Sequence, residues 1–213
     1  INLFLVSVLI RIPIAIIYGD TGLEYEWKTL VENLTTYKQL GWKNCEFAYF
    51  STSVCLKEGF ILPNLWMPPL YAYYLYFFTF FNLGDQNYII LILTLQILLT
   101  SISVPIFYKI NKFFFSNRIS LLGSLIFSLF PLYVYASSQV SSISIQSFLT
   151  ILFLYFFFQI IKKGNFLSIL FFSFSAGLLI LLRGEFYSIL ILSLFYLFFL
   201  RIGIKKILLI VLI

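Results

Sequence analysis

Residues 88–108 read YIILILTLQILLTSISVPIFY, an apolar run of 21 residues without a charged side chain. A helix rises about 1.5 Å per residue, so this run can cross a hydrocarbon core of about 30 Å. Other long apolar runs lie at 1–18, 119–136, 143–161, 166–182 and 186–200, and a further one starts near 207. The pattern predicts an all-α fold, a polytopic bundle of transmembrane helices.

The composition excludes most other classes of protein. Hydrophobic residues make up 62% and charged residues 10% of the 213 residues, against about 45–50% and 25% in ordinary soluble domains. There is no histidine and there are two cysteines, which excludes a Ser-His-Asp triad and argues against a zinc site. No phosphate-binding glycine motif occurs. The basic residues form no patch with aromatic side chains, so no nucleic-acid partner is expected.

The two ends lie inside apolar runs. The chain begins at Ile1 and stops at Ile213. We expect a fragment of a longer protein, with 1–213 forming a single transmembrane domain. A signal-peptide remnant is the less favoured interpretation, because no small-residue cleavage site follows Pro13.

The charges predict which side of the membrane each loop faces. If 65–81 does not cross, three loops that hold only basic charges share one side: Lys109-Lys112-Arg118, Lys162-Lys163 and Arg201-Lys205-Lys206. All eight acidic residues then lie on the other side. If 65–81 did cross, the 18–64 loop would join the basic side. We favour the first arrangement, in which positive-inside bias makes the basic side cytoplasmic. It predicts a multi-pass protein of the bacterial inner membrane with segment 19–87 and the active site facing the periplasm.

The outer loop 19–87 is predicted to carry two juxtamembrane helices, near 24–40 and 68–81. In the first, Trp27, Leu30, Val31, Leu34, Tyr37 and Leu40 form one apolar stripe, and Gly41 would end the helix. The stripe either lies flat on the membrane with Trp27 and Tyr37 at headgroup level or packs on other loop residues. Pro68-Pro69 would start the second helix, whose tyrosines would lie in the same interface.

Cys45 and Cys55 both lie in this loop. An extracytoplasmic position permits a disulfide between them. Two unpaired thiols are the other interpretation, and the sequence does not decide between them.

Two carboxylates near the end of the first helix are candidate catalytic groups. Without histidine, a proton acceptor must be a carboxylate, lysine or tyrosine. Asp20 follows the first apolar run by two residues, and Glu24 comes four residues later. The plainer interpretation of Asp20 is a cap on the helix that follows it.

Two arginines complete a possible site. Arg11 lies seven residues before Tyr18, about 10 Å below the outer boundary at 1.5 Å per residue. An ionisable residue at that depth is a functional hypothesis by default, although its side chain could also snorkel to the headgroups. Arg183 marks the outer end of a later helix, where it could instead anchor the interface or pair with Glu185. Together the arginines could hold a phosphate at headgroup level while a carboxylate deprotonates an acceptor hydroxyl.

The order of these residues resembles the membrane (C-type) glycosyltransferase superfamily, in particular its branch of dolichyl-phosphate-mannose protein mannosyltransferases and aminoarabinose transferases. The matching features are Arg11, Gly19-Asp20, Glu24-Tyr25, the helix 24–40, Pro68-Pro69-Leu70-Tyr71 and the segment Gly177 to Glu185. One feature departs from the family pattern, because the stretch from Ser137 to Gln146 has no acid where the family often carries one. Gln146, Glu185 or Glu24 would then substitute, or a single acid would suffice.

The resemblance implies transfer of a sugar from a polyprenyl-phosphate donor to a protein, lipid or glycan acceptor, with membrane lipid as the surrounding partner. It implies catalytic roles for Asp20 and Glu24, and substrate binding by Arg11, Tyr25, Arg183 and Glu185. No cofactor is predicted, and a divalent metal stays open because some members of the superfamily need one and others do not. A transporter or flippase of lipid-linked sugars is the alternative function, and a structural subunit is a third.

Overall fold

The computed structural model describes residues 2–43, 61–63, 68–200 and 210. The predicted seventh span near 207, Cys45, Cys55 and the basic group Arg201-Lys205-Lys206 lie outside these residues. Within them the chain is almost entirely helical, so the prediction of an all-α fold is confirmed. The helices are α1 (Leu3–Tyr18), α2 (Tyr25–Tyr37), α3 (Pro69–Thr79), α4 (Asp85–Asn111), α5 (Asn117–Leu129), α6 (Pro131–Ala136), α7 (Ser142–Lys163), α8 (Phe166–Leu182) and α9 (Phe186–Phe199).

Two of the described helices are long and apolar enough to cross a membrane by length and composition, namely α4 and α7. Four shorter apolar helices accompany them: α1, α5, α8 and α9. The described chain also contains one small ladder that the sequence pattern did not predict. Its strands, β1 (Gly41–Lys43) and β2 (Ile61–Pro63), pair antiparallel with Trp42 opposite Leu62.

The predicted span 119–136 is not one helix. Pro131 has no backbone N–H to donate and restricts the residue before it to extended conformations. Phe130 accordingly has φ −62° and ψ 117°, so α5 ends at Leu129 and α6 begins at Pro131.

The contacts divide the chain into two units. The first unit contains Ile1–Asp20 and Leu93–Ile213, and the second contains Thr21–Ile92. The boundary falls within α4.

In the first unit, α7 and α8 form a helical hairpin. Gly164 lies in the left-handed region at φ 56° and ends α7, and the Asn165 side chain then accepts from the Ser168 N–H to start α8. Glycine and asparagine suit these two end positions. The hairpin packs through aromatic rings, with the centroids of Phe153 and Phe172 4.5 Å apart.

The first helix packs on α5 and α6 in the same unit. Three buried serines lie one turn apart along α5, at Ser120, Ser124 and Ser128. Small side chains at a membrane helix interface let two backbones approach closely. This stripe therefore provides the surface against which α1 buries its own polar residues, Ser7 and Arg11.

In the second unit, α2 packs on α3. Leu30 and Leu34 are buried, and Trp27 meets the Tyr71 ring edge-on at 4.7 Å. Trp27, Leu30 and Leu34 of the stripe are thus covered by protein, as the packed alternative expects. Tyr37 of the same stripe is 41% exposed, and the level of this helix relative to the headgroups stays a prediction.

Two helix ends in this unit differ in part from expectation. Pro68 and Pro69 start α3, as predicted. The first helix of the loop ends at Tyr37 rather than at Gly41, because Lys38 takes the left-handed conformation (φ 58°). Gly41 instead begins β1, and its carbonyl oxygen accepts a 2.8 Å hydrogen bond from the Asn33 side chain.

Candidate active site

The end of α1 places Asp20 against the turn between α6 and α7. Gly19 closes the helix by donating its N–H to the carbonyl oxygen of Ala15 (2.9 Å). A Cβ atom at position 19 would clash with that same oxygen. The close approach therefore requires glycine here and fixes the direction in which the chain leaves the helix.

Three hydrogen bonds join this chain end to the turn 137–141. The Asp20 N–H donates to the carbonyl oxygen of Ser138 (3.1 Å), and the Val140 N–H donates to Asp20 Oδ2 (2.7 Å). The side chain of Gln139 donates to the carbonyl oxygen of Tyr18 (2.7 Å). Asp20 is half-buried, and its second oxygen, Oδ1, accepts no hydrogen bond from the described residues. The carboxylate is held at one oxygen and available at the other.

The structure excludes the capping role that was considered for Asp20. The N-cap of α2 is Glu24, and no side chain makes a capping hydrogen bond there. Asp20 bonds instead with a turn that lies 120 residues further along the chain. Nothing in the sequence marked Val140 as its partner, although the polar run Ser137-Ser138-Gln139 between two apolar segments was a signal for a turn.

Arg11 is fully buried. Its Nη1 donates to Ser7 Oγ, to the Ser7 carbonyl oxygen (3.3 Å) and to the carbonyl oxygen of Ser128 on α5 (3.4 Å). Its Nε and Nη2 atoms have no hydrogen-bond partner among the described residues. The side chain does not snorkel, because α5 covers it. A buried guanidinium without a counter-ion is costly in a membrane, and these two nitrogen atoms are also shielded from solvent.

Arg183 and Glu185 lie together at the turn between α8 and α9. Arg183 Nη1 is 3.0 Å from Glu185 Oε1, and the two side chains are 44% and 66% exposed. The pairing alternative for Arg183 is therefore the observed one. Such exposed pairs contribute at most about 1 kcal/mol, so Arg183 can exchange Glu185 for another anion at little cost.

The other two predicted site residues lie at the start of α2 in the second unit. Glu24 accepts the Lys28 N–H through its backbone oxygen (2.9 Å), and its side chain is exposed. Tyr25 is 63% exposed.

The structure brings some of the predicted site residues into contact and leaves others apart. Arg183 contacts Glu185, and Asp20 contacts the turn 137–141. Among the described residues, no hydrogen bond or ion pair joins Asp20 to Arg11 or to Arg183.

The described residues contain no group of three or more His, Cys, Asp or Glu side chains that could hold a metal ion. One carboxylate oxygen at Asp20 does not by itself supply the several oxygen ligands that Mg²⁺ or Ca²⁺ requires.

Helices α4 and α7 have the length and composition of membrane spans and point to the class of membrane proteins. Residues 67–213 match the model of the family described as dolichyl-phosphate-mannose-protein mannosyltransferase. The match covers more than half of the chain, and the chain belongs to this family of membrane glycosyltransferases. Searches of curated proteins and of solved structures give no significant match. Arg183 and Glu185 lie within the matched residues, whereas Arg11, Asp20 and Glu24 precede them.

Proposed function

We propose that this protein transfers a sugar from a polyprenyl-phosphate donor to a hydroxyl of a protein, lipid or glycan acceptor at the extracytoplasmic face. The observation that carries the proposal is the carboxylate of Asp20. It is fixed at the end of α1 by the Val140 N–H (2.7 Å) and keeps one oxygen free. Membership of the mannosyltransferase family supports glycosyl transfer as the reaction.

In the proposed reaction, the hydroxyl oxygen of the acceptor attacks the anomeric carbon of the donor sugar. Asp20 Oδ1 accepts the proton of that hydroxyl during the attack. The new glycosidic C–O bond forms while the bond between the anomeric carbon and the phosphate oxygen breaks. The phosphate leaves with the electron pair of that bond and stays attached to the polyprenyl chain. A positioned general base of this kind contributes about 10²–10⁴-fold to a rate.

The arginines are proposed to stabilise the departing phosphate. A guanidinium suits this role because its N–H groups match phosphate oxygens in pairs. Arg11 has two donor atoms without a protein partner, and Arg183 is held only by an exposed ion pair. Tyr25 and Glu185 remain proposed substrate contacts, and Glu24 remains the second catalytic candidate.

Asp20→Asn tests the proposal. The amide keeps the size of the side chain but cannot accept a proton as a carboxylate does, so transfer should fall at least about 100-fold. The measurement is incorporation of radiolabelled mannose from polyprenyl-phosphate mannose into membrane acceptors. Glu26→Gln, which also removes one carboxylate near the start of α2, is the matched control and should transfer normally.

Membrane insertion of both variants is checked by extraction and size-exclusion chromatography. Wild-type transfer by Asp20→Asn would refute the catalytic role of Asp20. Movement of lipid-linked sugar across vesicles without any transfer would favour the transporter instead.

A further inference from the structure

The second unit contains a surface cavity of about 410 Å³ that is half open to solvent. Its walls come from the chain after Asp20 (Thr21 to Leu23), from α2, from the turn between α3 and α4, and from the first turns of α4. The volume lies within the range of about 300–1,000 Å³ that is typical of small-molecule sites. No residue of this cavity belongs to the site proposed above.

Charged and polar side chains line this cavity without pairing with one another. Lys28 and Glu32 are one turn apart on α2, and Asp85 opens α4. The ion pair found among the described residues is Arg183–Glu185, which leaves these three charges unpaired there. The amide of Asn82, in the turn between α3 and α4, also lines the cavity and makes no side-chain hydrogen bond to described residues.

This set of groups favours one chemical class of ligand. Two carboxylates and one ammonium give the cavity a net negative charge, which disfavours a phosphate or another anion. Carboxylates accept hydrogen bonds, an ammonium donates them, and an amide does both, so the set can satisfy a ring of hydroxyl groups. Val31 and Ile89 add an apolar wall, against which the C–H face of a sugar can pack.

We propose that this cavity binds the carbohydrate of the acceptor, as a neutral or amino-bearing sugar ring. The proposal rests on the proposed transferase function, since it supplies that enzyme with an acceptor site and makes the acceptor a glycan or glycolipid. Glu32 and Asp85 accept hydrogen bonds from sugar hydroxyl or ammonium groups. Lys28 and Asn82 donate to sugar oxygens.

Direct binding to the purified full chain in detergent tests the proposal. The probes are methyl α-mannopyranoside, methyl 2-amino-2-deoxyglucopyranoside and mannose 1-phosphate. Their binding is measured by saturation-transfer NMR and by calorimetry. We expect the neutral and amino sugars to bind and mannose 1-phosphate to bind at least 10-fold more weakly. The double variant Glu32→Gln/Asp85→Asn should weaken binding of the first two probes at least 10-fold.

Glu26→Gln is the matched control, because it neutralises a carboxylate of α2 that does not line the cavity, and it should bind like the wild type. Absence of binding, or equal binding by the double variant, would overturn the proposal. Thermal unfolding of each variant identifies a loss of binding that results only from misfolding. In that case Lys28→Ala and Asn82→Ala decide the outcome, and unchanged binding by both would also overturn the proposal.

The transfer assay separates this proposal from the proposed function. If only the cavity assignment is wrong, the double variant still transfers sugar. Its transfer rate then rises with the amount of acceptor membranes as it does in the wild type. If only the transferase function is wrong, neither the wild type nor any variant transfers sugar. The wild type still binds the neutral sugar and the amino sugar.

Discussion

At the scale of single residues, the structure separates buried polar groups that have partners from those that have none. Tyr88 Oη donates to the carbonyl oxygen of Leu75 (2.8 Å), whereas the buried Tyr74 Oη has no partner among the described residues. Burial raises the pKa of the Tyr74 hydroxyl, and the charge of Tyr88 adds to the shift. Tyr74 therefore stays neutral throughout the physiological range and carries an unsatisfied polar atom.

The two tyrosines provide a matched pair for a stability measurement. Tyr74→Phe removes an unpaired hydroxyl and should leave the protein as stable or more stable by about 1 kcal/mol. Tyr88→Phe breaks a hydrogen bond and leaves the Leu75 oxygen unpaired, so it should destabilise by about 1–2 kcal/mol. Thermal unfolding in detergent measures both, and equal shifts in the two variants would contradict the hydrogen-bond assignment.

Arg11 can be tested in the same way. Arg11→Met keeps an unbranched side chain and removes the guanidinium, two of whose nitrogen atoms are buried without partners among the described residues, so the unfolding temperature should stay level or rise. Transfer from the lipid-phosphate donor should nevertheless fall at least about 10-fold if the guanidinium binds phosphate.

A loss of thermal stability without a specific rise in the donor KM would instead assign Arg11 a structural role between α1 and α5. Arg11→Lys keeps the charge but cannot donate two parallel hydrogen bonds to a phosphate. It should therefore be more active than Arg11→Met and less active than the wild type.

At the scale of elements, the ends of helices decide where the catalytic candidate lies. The first helix ends through the Gly19 N–H, and the following residue is joined to the turn 137–141. That turn exists because α6 is short and α7 starts only at Ser142. A change at either helix end should therefore alter the position of Asp20 and its hydrogen bonds.

Gly19→Ala tests this coupling. The added Cβ would clash with the carbonyl oxygen of Ala15, so the last turn of α1 must shift and the bond from Val140 to Asp20 should weaken. We expect a stability loss of about 1–3 kcal/mol and a fall in kcat larger than any change in KM. Gly177→Ala in α8 is the control, since a Cβ there meets no atom within 4 Å. Normal kcat in Gly19→Ala would show that Asp20 does not depend on this helix end.

At the scale of the whole molecule, charge predicts the orientation in the membrane. The loops with only basic charges, such as Lys162-Lys163, are expected on the cytoplasmic side, and Asp20 on the opposite side. Both native cysteines can be replaced by serine, and single cysteines introduced at Thr21 and at Gly164.

A maleimide that does not cross membranes, added from the outside of intact cells, should label position 21 at once. It should label position 164 only after the membrane is permeabilised. Labelling of position 21 exclusively from the cytosol would reverse the orientation and remove the proposed site from the lipid-linked donor outside.

Local patterns determined much of the architecture. Apolar run lengths located α1, α4, α7, α8 and α9, because hydrophobicity over a helix length is a property of consecutive residues. Pro68-Pro69 and Gly164-Asn165 lie at helix ends for equally local reasons. The spacing of Trp27, Leu30 and Leu34 identified the buried face of α2, although not what would cover it.

Tertiary structure alone decided the contacts that make the site. The Val140 N–H reaches Asp20 across 120 residues, and Ser128 meets Arg11 across 117. No pattern in neighbouring residues encodes such pairs, because backbone donors and acceptors are chemically alike at every position and only packing selects among them. The sequence by itself determined that this is a helical membrane protein with a carboxylate after its first helix. Only the folded chain determined what holds that carboxylate, and that the arginine inside the helix is covered rather than exposed to lipid.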